Sequence, residues 1–344
     1  MNKIALNFED GFTQIIESLP YESVSDAAYR QGVNIPIDCA DGACGTCKCK
    51  IRSGNFDAGD YIEEALTNEE FENGLGLACQ MVPKSDLVID IFASSEACKI
   101  ETKTVQAIIT ELEKLSDEII KLNVCKVDDT AINFLPGQYA NIEVPGAEGQ
   151  TRSYSFSNKP EEVELEFLIK LVQDGLMSNF LKHKANVGQH LNLTGPTGTF
   201  YLREIQRPTL FFAGGTGIAP FLSMLEKLAA ENKALHPIEL FYGARTHQNL
   251  VETQRLKAFK EQINFDYKVC ISKEPSEIHP TGFVTQWINK EILVQPAYDI
   301  YICGPNAMVE AVKLAFDEAN ITYHNFYLEK FLPSGTNTLE KATS

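Results

Sequence analysis

Three closely set cysteines constrain this chain more than anything else in it. Cys39, Cys44 and Cys47 form the pattern C-x4-C-x2-C, and Cys79 follows in Leu77-Ala78-Cys79-Gln80. That spacing is the one a four-thiolate 2Fe–2S centre takes, because two bridged irons need four thiolates and one tight loop has to supply three. Gly42 and Gly45 let the loop's amides turn inward, where N–H groups stabilise cluster sulfurs and tune their potential. Zinc is the competing reading, but structural zinc usually takes two short-spaced pairs and only one C-x2-C stands here. Cys49, in the strand expected to follow, reads as a packed thiol, as do Cys98, Cys125 and Cys270. The total of nine cysteines is odd, and MNKIALNFED contains no apolar leader, so a reducing, cytoplasmic setting is expected rather than a disulfide framework. The six histidines show no metal-binding spacing.

Charge and length narrow the class further. The net charge of −17 argues against a nucleic-acid partner or an anionic membrane surface, both of which need clustered Lys and Arg. No run of apolar residues is long enough to span a bilayer. Acidity is densest at the start: residues 1–99 hold 17 Asp and Glu against 7 Lys and Arg. A chain of 344 residues is expected to form two or three domains, and no internal repeat suggests a solenoid.

The residue pattern changes twice. In the first stretch, Ile4–Phe8 and Phe12–Ile16 read as strands joined by an Asp-Gly turn, followed by a short helix over Ser25–Gln31 and an edge-like strand over Leu87–Phe92. The runs Val105–Leu112, Ile119–Val127, Tyr139–Val144 and Val163–Val172 then suggest an antiparallel barrel. From Pro208 the rhythm is strand, helix, strand: Thr209–Ala213, Ile218–Ala230, Ile238–Tyr242, Leu250–Ile263, Tyr267–Ile271, Tyr298–Cys303 and Met308–Ala319. The expected domains are 1–97, 104–204 and 205–344, an α+β unit, a barrel and an α/β unit, with a frayed tail beyond Pro333.

Four further motifs suit nucleotide cofactors. Arg152-Ser153-Tyr154-Ser155 offers a forked phosphate donor, an aromatic face and small hydroxyls, although a solvated Arg beside a core Tyr would look the same. Asp174-Gly175-Leu176-Met177-Ser178 leads into a helix over 179–184 whose free N–H groups suit a pyrophosphate. Gly214-Gly215-Thr216-Gly217-Ile218-Ala219-Pro220 ends one apolar strand and opens a helix, in the setting of a diphosphate turn. It is neither a G-x-G-x-x-G fingerprint nor a Walker A loop. Cys303-Gly304-Pro305 ends another strand, at the sheet edge where ligands bind in open α/β folds; an ordinary buried thiol is the alternative.

With these motifs in this order, the chain resembles the NADH-dependent reductase components of bacterial aromatic-ring dioxygenases of the benzoate and anthranilate type, over residues 1 to about 331. The resemblance implies a plant-type, ferredoxin-like β-grasp domain, an antiparallel flavin-binding β-barrel and a parallel-sheet nucleotide-binding domain. It implies that Cys39, Cys44, Cys47 and Cys79 hold the cluster. Arg152, Ser153, Tyr154 and Ser155 would bind FAD, together with Ile169, Lys170, Gly175, Met177 and Ser178. Gly215, Thr216, Gly217, Pro220, Cys303, Gly304, Pro305 and Met308 would bind NADH. Glu329-Lys330-Phe331 is similar to the Glu-x-Tyr that ends plant-type reductases, which implies Phe331 over the flavin and Ser155, Cys303 and Glu329 around hydride transfer.

The resemblance further implies a terminal Rieske-type oxygenase docking near the acidic first domain. A reductase of the same architecture serving a di-iron phenol or alkane monooxygenase, or a deoxysugar dehydratase, fits these motifs equally, and a redox sensor is a rival of another class. Tyr242-Gly243-Ala244-Arg245 shows no acid at the strand end for a ribose 2′-OH, and Arg245 suits a 2′-phosphate or plain solvent. The resemblance favours NADH.

Overall fold

The computed structural model describes residues 1–127, 132–233, 235–275, 277–288 and 297–331. The tail expected to fray after Pro333 lies outside them. The described chain groups into two compact units: residues 1–103 with 132–138 and 195–199, and the remainder.

The first unit opens with the expected hairpin, β1 (Asn2–Phe8) and β2 (Thr13–Ser18), its turn held by Phe12 N–H on the Asp10 carboxylate at 3.3 Å. Helix α1 (Val24–Arg30) starts at Ser23, whose hydroxyl accepts from Asp26 N–H at 3.1 Å and so satisfies one orphan donor. Val24, Ala27 and Ala28 form its buried face. There follow β3 (Lys48–Ser53), β4 (Phe56–Asp57), α2 (Asn68–Glu72), β5 (Leu75–Leu77), β6 (Val82–Pro83) and β7 (Leu87–Ile91). The main sheet runs β2-β1-β7-β3-β5. Strand β7 is therefore central, paired parallel to β1 and antiparallel to β3, and not at an edge as its alternation suggested. One-sided burial makes a central strand of an open sheet alternate just as an edge strand does.

Largely in the second unit, β8 (Lys103–Lys114), β9 (Ile119–Lys126), β10 (Tyr139–Glu143), β11 (Thr151–Ser155), β12 (Glu164–Lys170) and β13 (His190–Thr197) form a sheet in the order β11-β10-β13-β8-β9-β12. Phe156 bridges antiparallel to Phe167, and their rings lie 5.2 Å apart, which brings the two end strands together into a near-closed barrel. Helix α3 (Leu176–His183) follows β12.

The parallel sheet has the order β16-β15-β14-β17-β18, from β14 (Thr209–Gly214), β15 (Ile238–Ala244), β16 (Phe265–Ile271), β17 (Tyr298–Pro305) and β18 (Tyr323–Phe331). Strand β14 is buried at every position, the mark of a strand covered on both faces. One core gathers Phe211, Tyr242 and Tyr301 with α4 (Ala219–Glu231) and α5 (Thr253–Gln262). The other gathers Phe212, Phe241 and Trp287 with α6 (Asn306–Ala319). The helix expected from Leu250 starts only at Thr253, because Glu252 stands in the left-handed region at φ 61°. Among the described residues no helix is long and apolar enough to cross a membrane.

Candidate functional site

The cysteine loop lies between α1 and β3 and has no regular structure of its own. Its backbone turns onto the sulfurs: Ala43 and Cys44 N–H reach Cys39 Sγ at 3.3 and 3.2 Å, and Thr46 N–H reaches Cys44 Sγ at 3.4 Å. Gly42 permits the turn. It sits at φ +79°, and a Cβ there would lie 2.4 Å from the Asp60 carbonyl oxygen. Strand pairing of Lys48 with Leu77 sets Cys47 beside the turn that carries Cys79, and Ala78 N–H donates to the Cys47 carbonyl at 3.0 Å.

The four thiols come as two pairs, Cys39 with Cys44 and Cys47 with Cys79, each within hydrogen-bonding reach. One member of each pair is drawn down by its partner's hydrogen bond, Cys44 to about 6 and Cys79 to about 7. Cys39 and Cys47 are pushed up by the same bonds and by burial. Two thiol pairs in an amide-lined loop fit two irons, each taking a pair of thiolates. Cys49 is fully buried against the Gly76 carbonyl and Met81, with its thiol pushed up to about 12 by burial. Cys98 and Cys270 are buried too, whereas Cys125, expected to be packed, is partly exposed at the end of β9.

The flavin-motif residues lie along β11, where Arg152 pairs with Ile142, Tyr154 with Ala140 and Ser155 with Tyr139. Ser155 is buried, Arg152 and Tyr154 are half-buried, and Ser153 is exposed with its hydroxyl on Asn141 Oδ1 at 2.7 Å. The Phe156–Phe167 bridge brings this strand beside β12, which carries Ile169 and Lys170. From β12 the chain turns at Gly175 into α3, and Ser178 Oγ accepts from Val172 N–H at 2.8 Å. That hydroxyl oxygen accepts from the turn, so Ser178 has its O–H and its N–H, one of the first-turn donors of α3, to offer a ligand.

In the parallel sheet, register brings distant motifs together. Ala213 of β14 pairs with Cys303 of β17, and Cys303 pairs with Glu329 of β18. Thr216 is buried within the short 3₁₀ turn Gly215–Ile218 that enters α4, where Pro220 sits in the first turn. A Cβ at Gly214 would meet Met308 Sδ at 2.8 Å and Pro305 at 2.9 Å, so the two loops, 214–217 and 303–308, touch at one sheet edge. Burial first, and then the Glu329 charge, hold the fully buried Cys303 thiol well above its usual range, so it stays S–H at neutral pH. Phe331 pairs with Pro305 at the same edge and is 39% exposed.

Three family models match consecutive stretches: a 2Fe-2S iron-sulfur cluster binding domain over 7–84, an oxidoreductase FAD-binding domain over 106–201, and an oxidoreductase NAD-binding domain over 211–314. The toluate 1,2-dioxygenase electron transfer component of Pseudomonas putida is 47% identical over 97% of this chain and 99% of its own. The chain belongs to the dioxygenase electron transfer components. The anthranilate 1,2-dioxygenase component of Acinetobacter baylyi is 39% identical, covering 97% of this chain and 98% of its own. Among solved structures, an Amycolatopsis cytochrome P450 reductase superposes with a TM-score of 0.74 at 28% identity, over 96% of this chain and 100% of that one. As an electron transfer component the protein has binding domains for a 2Fe–2S cluster, FAD and NAD.

One residue escaped the sequence reading of this electron transfer component. No acid ends β15, but the Glu274 carboxylate, just past the end of neighbouring β16, accepts from His247 N–H. Strand β15 pairs with β16 through Ala244 and Ile271, and Lys273 N–H donates to the Arg245 carbonyl at 2.9 Å.

Proposed function

We propose that the protein carries electrons from NADH, by way of FAD and a 2Fe–2S cluster, to the terminal Rieske-type oxygenase of a benzoate- or anthranilate-type ring dioxygenase. The observation that carries this reading is the run of three cofactor-binding domains in one chain that matches a toluate dioxygenase component from end to end. We assign the domains as 1–97, 104–204 and 205–344. When bound, FAD supplies the means to accept two electrons from NADH and release them singly.

The chain's own residues bind and orient. Arg152, whose Nη1 donates to the Thr151 carbonyl at 2.6 Å, would turn the rest of its guanidinium to the FAD pyrophosphate together with the first-turn amides of α3, Gly175–Ser178, including that of Met177. Tyr154 would lend a ring face to the isoalloxazine, Ser155 a hydroxyl to its polar edge, and Ile169-Lys170 a strand wall. Phe331 would cover the flavin from the sheet edge. Gly215–Gly217 and Cys303–Met308 would hold the nicotinamide nucleotide, with the neutral Cys303 thiol and Glu329 beside it. Cys39 and Cys44 would serve one iron, and Cys47 and Cys79 the other.

Glu274 supplies the acid for the ribose 2′-OH, and a 2′-phosphate would meet its charge. Glu274→Gln should therefore raise kcat/KM for NADPH by about tenfold or more while that for NADH changes by about threefold or less, measured with ferricyanide as acceptor.

A panel of purified terminal oxygenases, driven by NADH through this protein, tests the partner. Product formation with a benzoate- or anthranilate-type oxygenase supports the reading. Preference for a di-iron hydroxylase or a deoxysugar dehydratase overturns it. Because the first domain is the most acidic, the productive pair should slow as salt rises from low to physiological ionic strength, where screening reaches about 8 Å.

A further inference from the structure

Three consecutive residues just beyond the flavin strand, Ser157 to Lys159, are tied, one after another, to helices of the nucleotide domain. The Ser157 carbonyl accepts from Arg255 Nη2 at 2.8 Å. The Asn158 carbonyl accepts from Ser223 Oγ at 2.7 Å. Lys159 N–H donates to Glu226 Oε2 at 2.9 Å. Ser223 and Glu226 stand on α4, the helix opened by the Gly215–Gly217 turn, and Arg255 stands on α5.

Arg255 joins the pieces. Its guanidinium also meets Glu166 Oε1 of β12 at 2.7 Å, Glu226 Oε1 of α4 at 2.6 Å and Glu252 Oε2 at 3.5 Å. Ser157 Oγ shares Glu166 Oε1 at 2.7 Å, and Lys121 reaches Glu252 at 3.9 Å from β9. Glu252 and Glu166 are largely buried, with side chains 8% and 16% exposed. Three carboxylates and a carbonyl thus converge on one planar fork, a geometry lysine's single ammonium cannot span.

We infer that Arg255 is a positioning residue for hydride transfer: its fork fixes the helix behind the nicotinamide loop to the backbone just past Ser155, and so sets how nicotinamide and flavin meet. This rests on the cofactor assignment above and goes beyond it. Transfer between two bound rings is steep in distance and angle, so a clamp this near both loops acts on the rate at bound substrate rather than on affinity.

The test mixes NADH anaerobically with FAD-loaded protein and reads the limiting rate of flavin reduction, the NADH dissociation constant and the long-wavelength charge-transfer absorbance of stacked nicotinamide and flavin. Arg255→Met should lower the limiting rate by about tenfold or more and weaken the absorbance, with the dissociation constant within about threefold and FAD content unchanged. Arg255→Lys should recover melting temperature more fully than rate, and Ser223→Ala should give a smaller fall in the same rate. Amide exchange over 157–166, which needs no turnover, should quicken in Arg255→Met. A folded, FAD-loaded Arg255→Met protein reduced at the wild-type rate overturns the inference. So does unchanged amide exchange, or a combined loss of FAD, NADH affinity and melting temperature that Arg255→Lys fully reverses. Wild-type protein that NADH does not reduce at all sinks the cofactor reading instead, and the exchange measurement still decides the clamp.

Discussion

Cys47→Ser is expected to leave NADH oxidation by a dye running while reduction of a one-electron protein acceptor, such as cytochrome c or an oxygenase, falls by about 100-fold or more. The reason is that Cys47 is the most buried of the four ligand candidates, 2% exposed, and its thiol is one half of the Cys47–Cys79 pair. A serine oxygen in that place lies at the wrong bond length for an iron set by sulfur, and it leaves Cys79 without its partner. The neighbouring Cys49 cannot stand in, because its sulfur is held between the Gly76 carbonyl and Met81. Iron and acid-labile sulfide should drop with the protein-acceptor activity and the FAD content should not. Loss of dye activity together with protein-acceptor activity would place the cluster before the flavin and refute the proposed order.

The second large effect is at the nucleotide turn. A Cβ on Gly217 would fall 2.3 Å from the Cys303 carbonyl oxygen and 2.8 Å from its carbon, both backbone atoms of a central strand that cannot step aside. Gly217→Ala should therefore push loops 214–217 and 303–308 apart, lower kcat/KM for NADH by about 100-fold and destabilise the protein by about 2 kcal/mol or more. Gly215→Ala is the control. Gly215 has φ +57° but open space around its missing Cβ, so only the left-handed backbone penalty of about 1–2 kcal/mol applies. If both variants turn over NADH alike, the close contact of the two loops is not what shapes the nucleotide site.

Much of this was readable from residue order, and the exceptions have physical causes. The cysteine spacing announced the loop that brings Cys39, Cys44 and Cys47 together because those ligands are local, whereas the placing of Cys79 beside Cys47 depends on the pairing of Lys48 with Leu77. The strands of the parallel sheet were legible where burial on both faces made continuous apolar runs, as in Thr209–Gly214. Strand β18, at the sheet edge and only half-buried, carries no such run, so only its Glu329-Lys330-Phe331 end drew notice. The centrality of β7 was hidden because alternation reports faces and is silent on neighbours. Glu274 and Arg255 were invisible for a different reason. Each acts across elements far apart in sequence, Arg255 meeting Glu166 89 residues away, and nothing in local pattern registers such a meeting.

The ties at Ser157, Asn158 and Lys159 bear on how such proteins can be recombined. A cut near residue 205 looks natural from the chain's rhythm, since barrel strands end there and the alternating fold begins. A chimera that grafted a foreign nucleotide domain at that point would inherit three backbone groups shaped for Ser223, Glu226 and Arg255, together with the carboxylate of Glu166. Unless the donor offered matching partners, an acid would be buried without its counter-ion, at a cost of about 3–5 kcal/mol. The exchangeable cassette is therefore residues 157–166 together with α4 and α5, moved as one with the cofactor motifs at 169–178 and 214–217 that lie between them.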